Sequence, residues 1–212
     1  MSVKTEVIKA GDPSAPEKAA RAVCGGAVIV CPTETLYGIG GLALNREAAR
    51  KTSDIKRRPP GKPLSVLVRD MEMLLRHFTL TEKQAAAYER MLPLPLTLVL
   101  RPREAGAFPP ETSKDGHTAA RVSGGEFVRR LFELIDEPLI SSSANISGEP
   151  VVKDGESAER VFGGKVELIV DSGNLPPSEG SAIVSLAGEK PEILRRGDLS
   201  PEQLSEFLQW LS

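Results

Sequence analysis

The run Ala27-Val28-Ile29-Val30-Cys31, closed by Pro32, is apolar at every position, so neither face of the strand it forms is meant for water. A strand of this kind lies inside a sheet covered on both sides, and the cover has to come from helices elsewhere in the chain. The flanking sequence supplies them. Ser14 and Glu17 have the spacing of a capping box, Pro16 suits an early helical position, and Gly25-Gly26 closes the pattern, which predicts a helix over about 15–24. Asn45 predicts a second helix running to Ile55, with Ala48, Ala49, Thr52 and Ile55 on one face.

The alternation continues to the end of the chain. A strand is expected at 64–68, then helices capped by Asp70 and Thr81 and ending at His77 and Met91, then strands at 97–100 and 118–122. Phe127, Val128, Leu131, Phe132 and Ile135 form a helical stripe, followed by strands at 138–142 and 166–170. Strands at 182–186 and 192–195 are joined by the hairpin-like turn Ala187-Gly188-Glu189-Lys190. Ser200-Pro201 opens a last helix with Leu204, Phe207, Leu208 and Leu211 inward. The pattern is α/β with a mixed sheet, and 1–212 reads as one domain, without repeat, low-complexity tract or linker.

Composition narrows the function. Lys and Arg number 27 against 29 Asp and Glu, a net charge of −2, so no global basic field draws nucleic acid or an anionic membrane and any anion site must be local. Aromatic residues at 4% argue against a single-strand binder built on stacking platforms. No apolar run approaches the ~20 residues a membrane span requires, and the N-terminus lacks a signal pattern. Cys24 and Cys31 lack CxxC spacing and are expected to be inert small hydrophobes, which points to a reducing, cytoplasmic location. His77 and His117, the only histidines, exclude a three-His zinc site, and without a GxSxG turn they argue against a Ser-His-Asp triad.

Four segments carry candidate chemistry, each with a plainer structural reading beside it. Pro32-Thr33-Glu34-Thr35-Leu36-Tyr37-Gly38-Ile39-Gly40-Gly41 puts hydroxyls and a carboxylate beyond a strand end, where open α/β sheets bind ligands, but it also reads as a turn. It makes no GxGxxG, and no Walker A sequence occurs in the chain. Lys56-Arg57-Arg58-Pro59-Pro60-Gly61-Lys62 is either a solvated helix end, favoured by the helix dipole, or a phosphate clamp stiffened by two prolines. Ser141-Ser142-Ser143-Ala144-Asn145-Ile146-Ser147-Gly148 leaves a strand with hydroxyls and backbone donors that suit a turn or an anion. Ile193-Leu194-Arg195-Arg196-Gly197 ends a strand on two guanidiniums, for a ligand or for a surface acid.

In their order along the chain, PTETLYGIG at 32–40, KRRPPGKPLSVLV at 56–68, PLTLVL at 95–100, SSSANISGEP at 141–150 and ILRRG at 193–197 resemble the YrdC/YciO family of threonylcarbamoyl-adenylate synthases. The resemblance runs from about residue 8 to 200, with the short, single-domain members as the nearer pattern. It implies a twisted mixed sheet with helices around a concave basic cavity, and an enzyme that joins L-threonine, bicarbonate or CO₂, and ATP with Mg²⁺ held through the triphosphate. The products would be threonylcarbamoyl-AMP, passed to a tRNA-modification enzyme, and pyrophosphate.

By the family motif Thr35, Arg121, Ser143 and Ser181 would hold threonine, while Lys56, Arg58, Lys62, Asn145 and Arg195 would hold ATP, Lys56 and Arg58 being catalytic. The chain departs from the pattern at Leu94, at Val151-Val152-Lys153 and at Ser181-Ala182-Ile183-Val184-Ser185. It also has Leu67 where some members have a threonine-contacting histidine. These departures keep open a YciO-like paralogue that binds nucleotide, tRNA or double-stranded RNA, and an accessory subunit that docks adenylate to a partner.

Overall fold

The structure, a computed structural model, describes residues 3–211. In chain order its elements are β1 (Glu6–Lys9), α1 (Ala15–Cys24), β2 (Ile29–Pro32), β3 (Tyr37–Gly40), α2 (Arg46–Ile55), β4 (Val66–Val68), α3 (Met71–His77), β5 (Phe78–Thr79), α4 (Glu82–Met91) and β6 (Leu96–Pro102). They continue with β7 (Ser113–Lys114), β8 (His117–Val122), α5 (Glu126–Phe132), β9 (Leu139–Ile140), β10 (Ser142–Ser143), α6 (Gly155–Phe162), β11 (Leu168–Asp171), β12 (Ala182–Ser185), β13 (Glu192–Arg195) and α7 (Pro201–Leu211). Among the described residues no helix is long and apolar enough to cross a membrane.

The expected mixed α/β fold is present, and its strands divide between two sheets. One has the order β1-β11-β2-β3-β10, and the other follows β13-β12-β6-β8-β4-β9, with β5 added to β6 and β7 to β8. Strand β2 is buried at every position, and the alternation of its side chains explains why. Val28 and Val30 pack with Tyr37, Ile39, Phe162 and Ile169 on one face, while Ile29 and Cys31 join α1 and the larger core on the other. Cys31 is accordingly an inert core thiol, pushed up to about 12 by burial, whereas Cys24, expected as a second hydrophobe, is exposed at the end of α1.

Local signals placed most helix starts. Asn45 accepts from the backbone N–H groups of Glu47 and Ala48, Asp70 from Met73, and Thr81 forms a capping box with Gln84. Ser14 does not form the expected box, because its hydroxyl and N–H both donate to Asp12 Oδ1, 2.8 Å away. The segment after β2 is more than a turn: Tyr37–Gly40 is strand β3, antiparallel to both β2 and β10.

The run at 138–142 is not one strand. The chain leaves β9 in the larger sheet, turns at Ser141, whose N–H donates to Ser65 O at 2.9 Å, and enters β10 in the smaller sheet. The sheets approach so closely here that a Cβ on Gly40 would lie 2.1 Å from Ile140 O, so the residue must be glycine.

Strand alternation also separates core from site. Leu96, Leu98 and Leu100 on β6, Thr118 and Ala120 on β8, and Ala182 and Val184 on β12 are buried. Thr97 and Val99, His117, Ala119 and Arg121, and Ser181, Ile183 and Ser185 stand at the intervening positions and line a common cleft.

Candidate functional site

That cleft, about 630 Å³, lies where the face of the larger sheet meets the turn before β3 and the strand β10. Its volume is in the range of small-molecule sites. Of the residues singled out from the sequence, Thr35, Arg58, Lys62, Arg121, Ser143, Ser181 and Arg195 line it, drawn from segments far apart in the chain. Lys114 also faces it, so five cationic side chains stand against the acidic Asp115 and Glu192. A chain of net charge −2 thus concentrates positive charge at one place, as a local anion site requires.

The cations are held rather than loose. Arg58 is half-buried, and it donates through Nε to Lys62 O at 3.0 Å and through Nη2 to Pro63 O at 2.9 Å, closing the loop after α2 on itself. Arg195 folds back across the β12–β13 pair, donating through Nε to Ser181 O at 2.9 Å and through Nη2 to Ser181 Oγ at 3.3 Å. The Ser181 hydroxyl also pairs with Thr97 Oγ1 at 2.8 Å. Arg121 is buried, and its guanidinium is held down to about 10 by that burial and by the neighbouring charge of Arg195. It forms an ion pair with Glu34 through Nη1.

Lys56 and Asn145 lie behind the wall of the cleft. Expected as a cation facing a triphosphate, Lys56 is fully buried, and its ammonium donates to Ser143 O, to Asn145 O at 2.9 Å and to Asn145 Oδ1 at 3.2 Å. An ammonium has three donors, and these bonds use them all. Burial, with Arg58 adding to it, pushes the Lys56 amine down to about 7. Asn145 is the other half of this brace. Its Oδ1 accepts from Ser143 Oγ at 2.8 Å, and its Nδ2 donates to Ile146 O and Glu149 O at 3.0 and 2.8 Å. Together they shape the 143–149 turn that carries Ser143 into the cleft.

Lys114 and His117 were not singled out from the sequence, and Glu34 was read only as the carboxylate of the 32–41 segment, without its partner. For His117 a signal existed: on strand β8 it stands in alternation with Ala119 and Arg121, so placing Arg121 in the site places His117 there too. Its Nδ1 lies 2.8 Å from Asp115 O. Leu67, buried in the wall, is in register with Arg121 and adds an apolar patch beside it.

Residues 21–197 match the family model Sua5/YciO/YrdC, described as telomere recombination. A Methanocaldococcus jannaschii relative is 31% identical over 183 residues, covering 86% of each chain. A Pyrococcus abyssi protein named threonylcarbamoyl-AMP synthase is 32% identical over 186 residues, which cover 86% of this chain and 54% of that one. The chain thus spans about half the length of that relative. The solved structure of Pyrococcus abyssi Sua5 complexed with L-threonine superposes with a TM-score of 0.85 at 30% identity, over 98% of this chain and 60% of that one. Escherichia coli YciO gives 0.83 at 21% identity over 95% and 98%, a likeness of fold.

Proposed function

The chain belongs to the Sua5/YciO/YrdC family, and from that premise we propose that it is an L-threonylcarbamoyladenylate synthase, making threonylcarbamoyl-AMP and pyrophosphate from L-threonine, bicarbonate or CO₂, and ATP. The observation that carries the reading is Arg121. This buried guanidinium has one nitrogen on Glu34 and, among the described residues, no other ion pair or hydrogen bond, so its remaining donors suit the bidentate grip of a substrate carboxylate. Thr35, Ser143 and Ser181 line the same cleft and would serve the rest of threonine. Arg58, Lys62 and Arg195 serve the phosphates of ATP, while Lys56 and Asn145 act through the turn they brace.

In this reading the amine of threonine loses a proton and bonds to the carbon of CO₂, giving a carbamate. One carbamate oxygen then attacks the α-phosphorus, and the bond to pyrophosphate breaks as the cations take up its charge. No protein nucleophile takes part. Mg²⁺ arrives with the triphosphate as part of the substrate; among the described residues no group of three or more His, Cys, Asp or Glu is placed to hold a metal ion. The adenylate then passes, in the cytoplasm, to an enzyme that modifies tRNA. A paralogue of other specificity is the second reading, favoured by the apolar Leu67 beside Arg121.

Pyrophosphate release with threonine, serine, valine or no amino acid, each with ATP and bicarbonate, separates the two. Turnover with threonine well above that with valine is expected, since polar groups built to meet a hydroxyl are left unpaired by its absence. Equal rates for valine and threonine would refute hydroxyl readout, and release without any amino acid would refute the synthase.

A pH dependence follows from the buried Lys56. Its amine, held to about 7 with Arg58 contributing, is largely neutral in the free protein at pH 8–9. A triphosphate laid against Arg58 offsets that neighbouring charge and favours the ammonium, so binding takes up a proton. The affinity for ATP is therefore expected to weaken above pH 7, by at most about tenfold per pH unit. Titration calorimetry in two buffers of different ionisation heat reads the proton directly; an affinity constant from pH 7 to 9 with no uptake would contradict it.

A further inference from the structure

We infer that Glu34 is a positioning residue of the amino-acid subsite, acting through Arg121; the inference rests on the function proposed above. Glu34 is itself absent from the wall of the cleft, while Arg121 is in that wall, so whatever Glu34 does for a ligand it does through its neighbour. Its carboxylate is gripped at both oxygens. Oε1 pairs with Arg121 Nη1, and Oε2 accepts from the hydroxyl of the buried Ser123 at 2.7 Å. Ser123 Oγ in turn accepts the N–H of Gly125 at 3.3 Å.

The backbone on either side removes the remaining freedom. A Cβ at Gly125 would stand 3.0 Å from Glu34 N and 3.3 Å from Glu34 Oε2, so the 123–125 loop presses directly on the glutamate. On the other flank Thr33 Oγ1 accepts from the N–H groups of Thr35 and Leu36 at 3.2 and 3.3 Å, which closes the 33–36 turn. The next residue, Thr35, lines the cleft. Glu34 therefore ties the turn that leaves β2 in one sheet to Arg121 on β8 in the other, holding the two contributions to the subsite at one spacing.

Two physical effects follow. Pinning Nη1 fixes the plane of the guanidinium and leaves its other edge to a carboxylate, so less ordering is needed when the ligand arrives. The carboxylate also sets a negative charge against a guanidinium whose charged form burial and Arg195 disfavour and Asp198 favours, and so adds to what keeps Arg121 charged where it meets the ligand. Both effects concern the amino acid. Of the proposed nucleotide contacts, Arg58 and Lys62 lie on a different loop, and Arg195 is held by its own bonds to Ser181.

Steady-state pyrophosphate release by the full chain tests the assignment. Glu34→Gln keeps the shape and removes the charge; it is expected to raise the KM for threonine by about tenfold or more, with the KM for ATP within about twofold of wild type. Ser123→Ala, which leaves the ion pair and removes its anchor, is expected to shift the threonine KM in the same direction by a few-fold and decides the matter if the first variant does not fold. An unchanged threonine KM in the folded variants overturns the inference. So does a parallel rise in both KM values with a lowered melting temperature, which marks a purely structural pair. A wild type whose release ignores threonine overturns the proposed function itself, and this subsite with it.

Discussion

Arg58→Ala is expected to lower kcat/KM for pyrophosphate release by about 10²–10³, the loss seen when one preorganised donor to a developing charge is removed. The substitution takes away a guanidinium on the cleft wall and also the strap it forms across Lys62 O and Pro63 O. Charge would therefore be lost at the phosphates, and the loop bearing Lys62 would gain freedom that binding must remove again. Arg58→Lys separates the two contributions: it restores a point charge without the planar fork, and only partial recovery is expected. Near wild-type kcat/KM in the alanine variant would exclude Arg58 from the phosphate site.

Lys56→Ala is expected to fail more broadly. Asn145 O would be left with no donor, while Ser143 O would keep only the N–H of Asn145 and Asn145 Oδ1 only the hydroxyl of Ser143, at a cost of about 1–3 kcal/mol. For a chain of this size that lowers Tm by roughly 2–12 °C. As the turn relaxes, Ser143 is displaced, so turnover per folded molecule should fall by about 10² or more and the KM values of both substrates should rise. Lys56→Met keeps the stem of the side chain and should lose the same bonds. Thermal melts beside the kinetics decide it: a melting temperature equal to wild type, with only the ATP constants changed, would return Lys56 to the role of a direct phosphate ligand.

That contrast between Arg58 and Lys56 bears on what a sequence can tell. Both belong to one basic cluster, and by composition they are equivalent. In the fold one faces the cleft and the other is sealed beneath a turn, because Lys56 closes the last turn of α2 and its backbone oxygen accepts from Ser147 N at 2.8 Å. The same limit hid Glu34. A carboxylate in the PTETLYGIG segment was visible, but its partner is on a strand of the other sheet.

Signals that act within a few residues were legible. The starts of α2, α3 and α4 were written in Asn45, Asp70 and Thr81, since a cap bonds to N–H groups two or three positions away. The burial of β2 on both faces and the pairing of β12 with β13 were likewise readable from apolar pattern and turn residues. Strand β3 was not, because half of its residues are glycine and only its neighbours on both sides make it a strand. Helix α6 went unnoticed although Asp154 and Ser157 form a capping box, its first residue being Gly155.

By itself, then, the amino-acid sequence determined the α/β alternation and most of the helix starts, which are properties of local spacing, and it carried the motifs by which the chain resembles its family. Only the tertiary structure decided that the 138–143 segment divides between two sheets, that Glu34 pairs with Arg121, and that Lys56 braces the wall of the cleft instead of forming it. The physical reason is separation. Lys56 and Ser143 are 87 positions apart and Glu34 and Ser123 are 89 apart, so neither bond leaves a trace in local spacing until the chain has closed on itself.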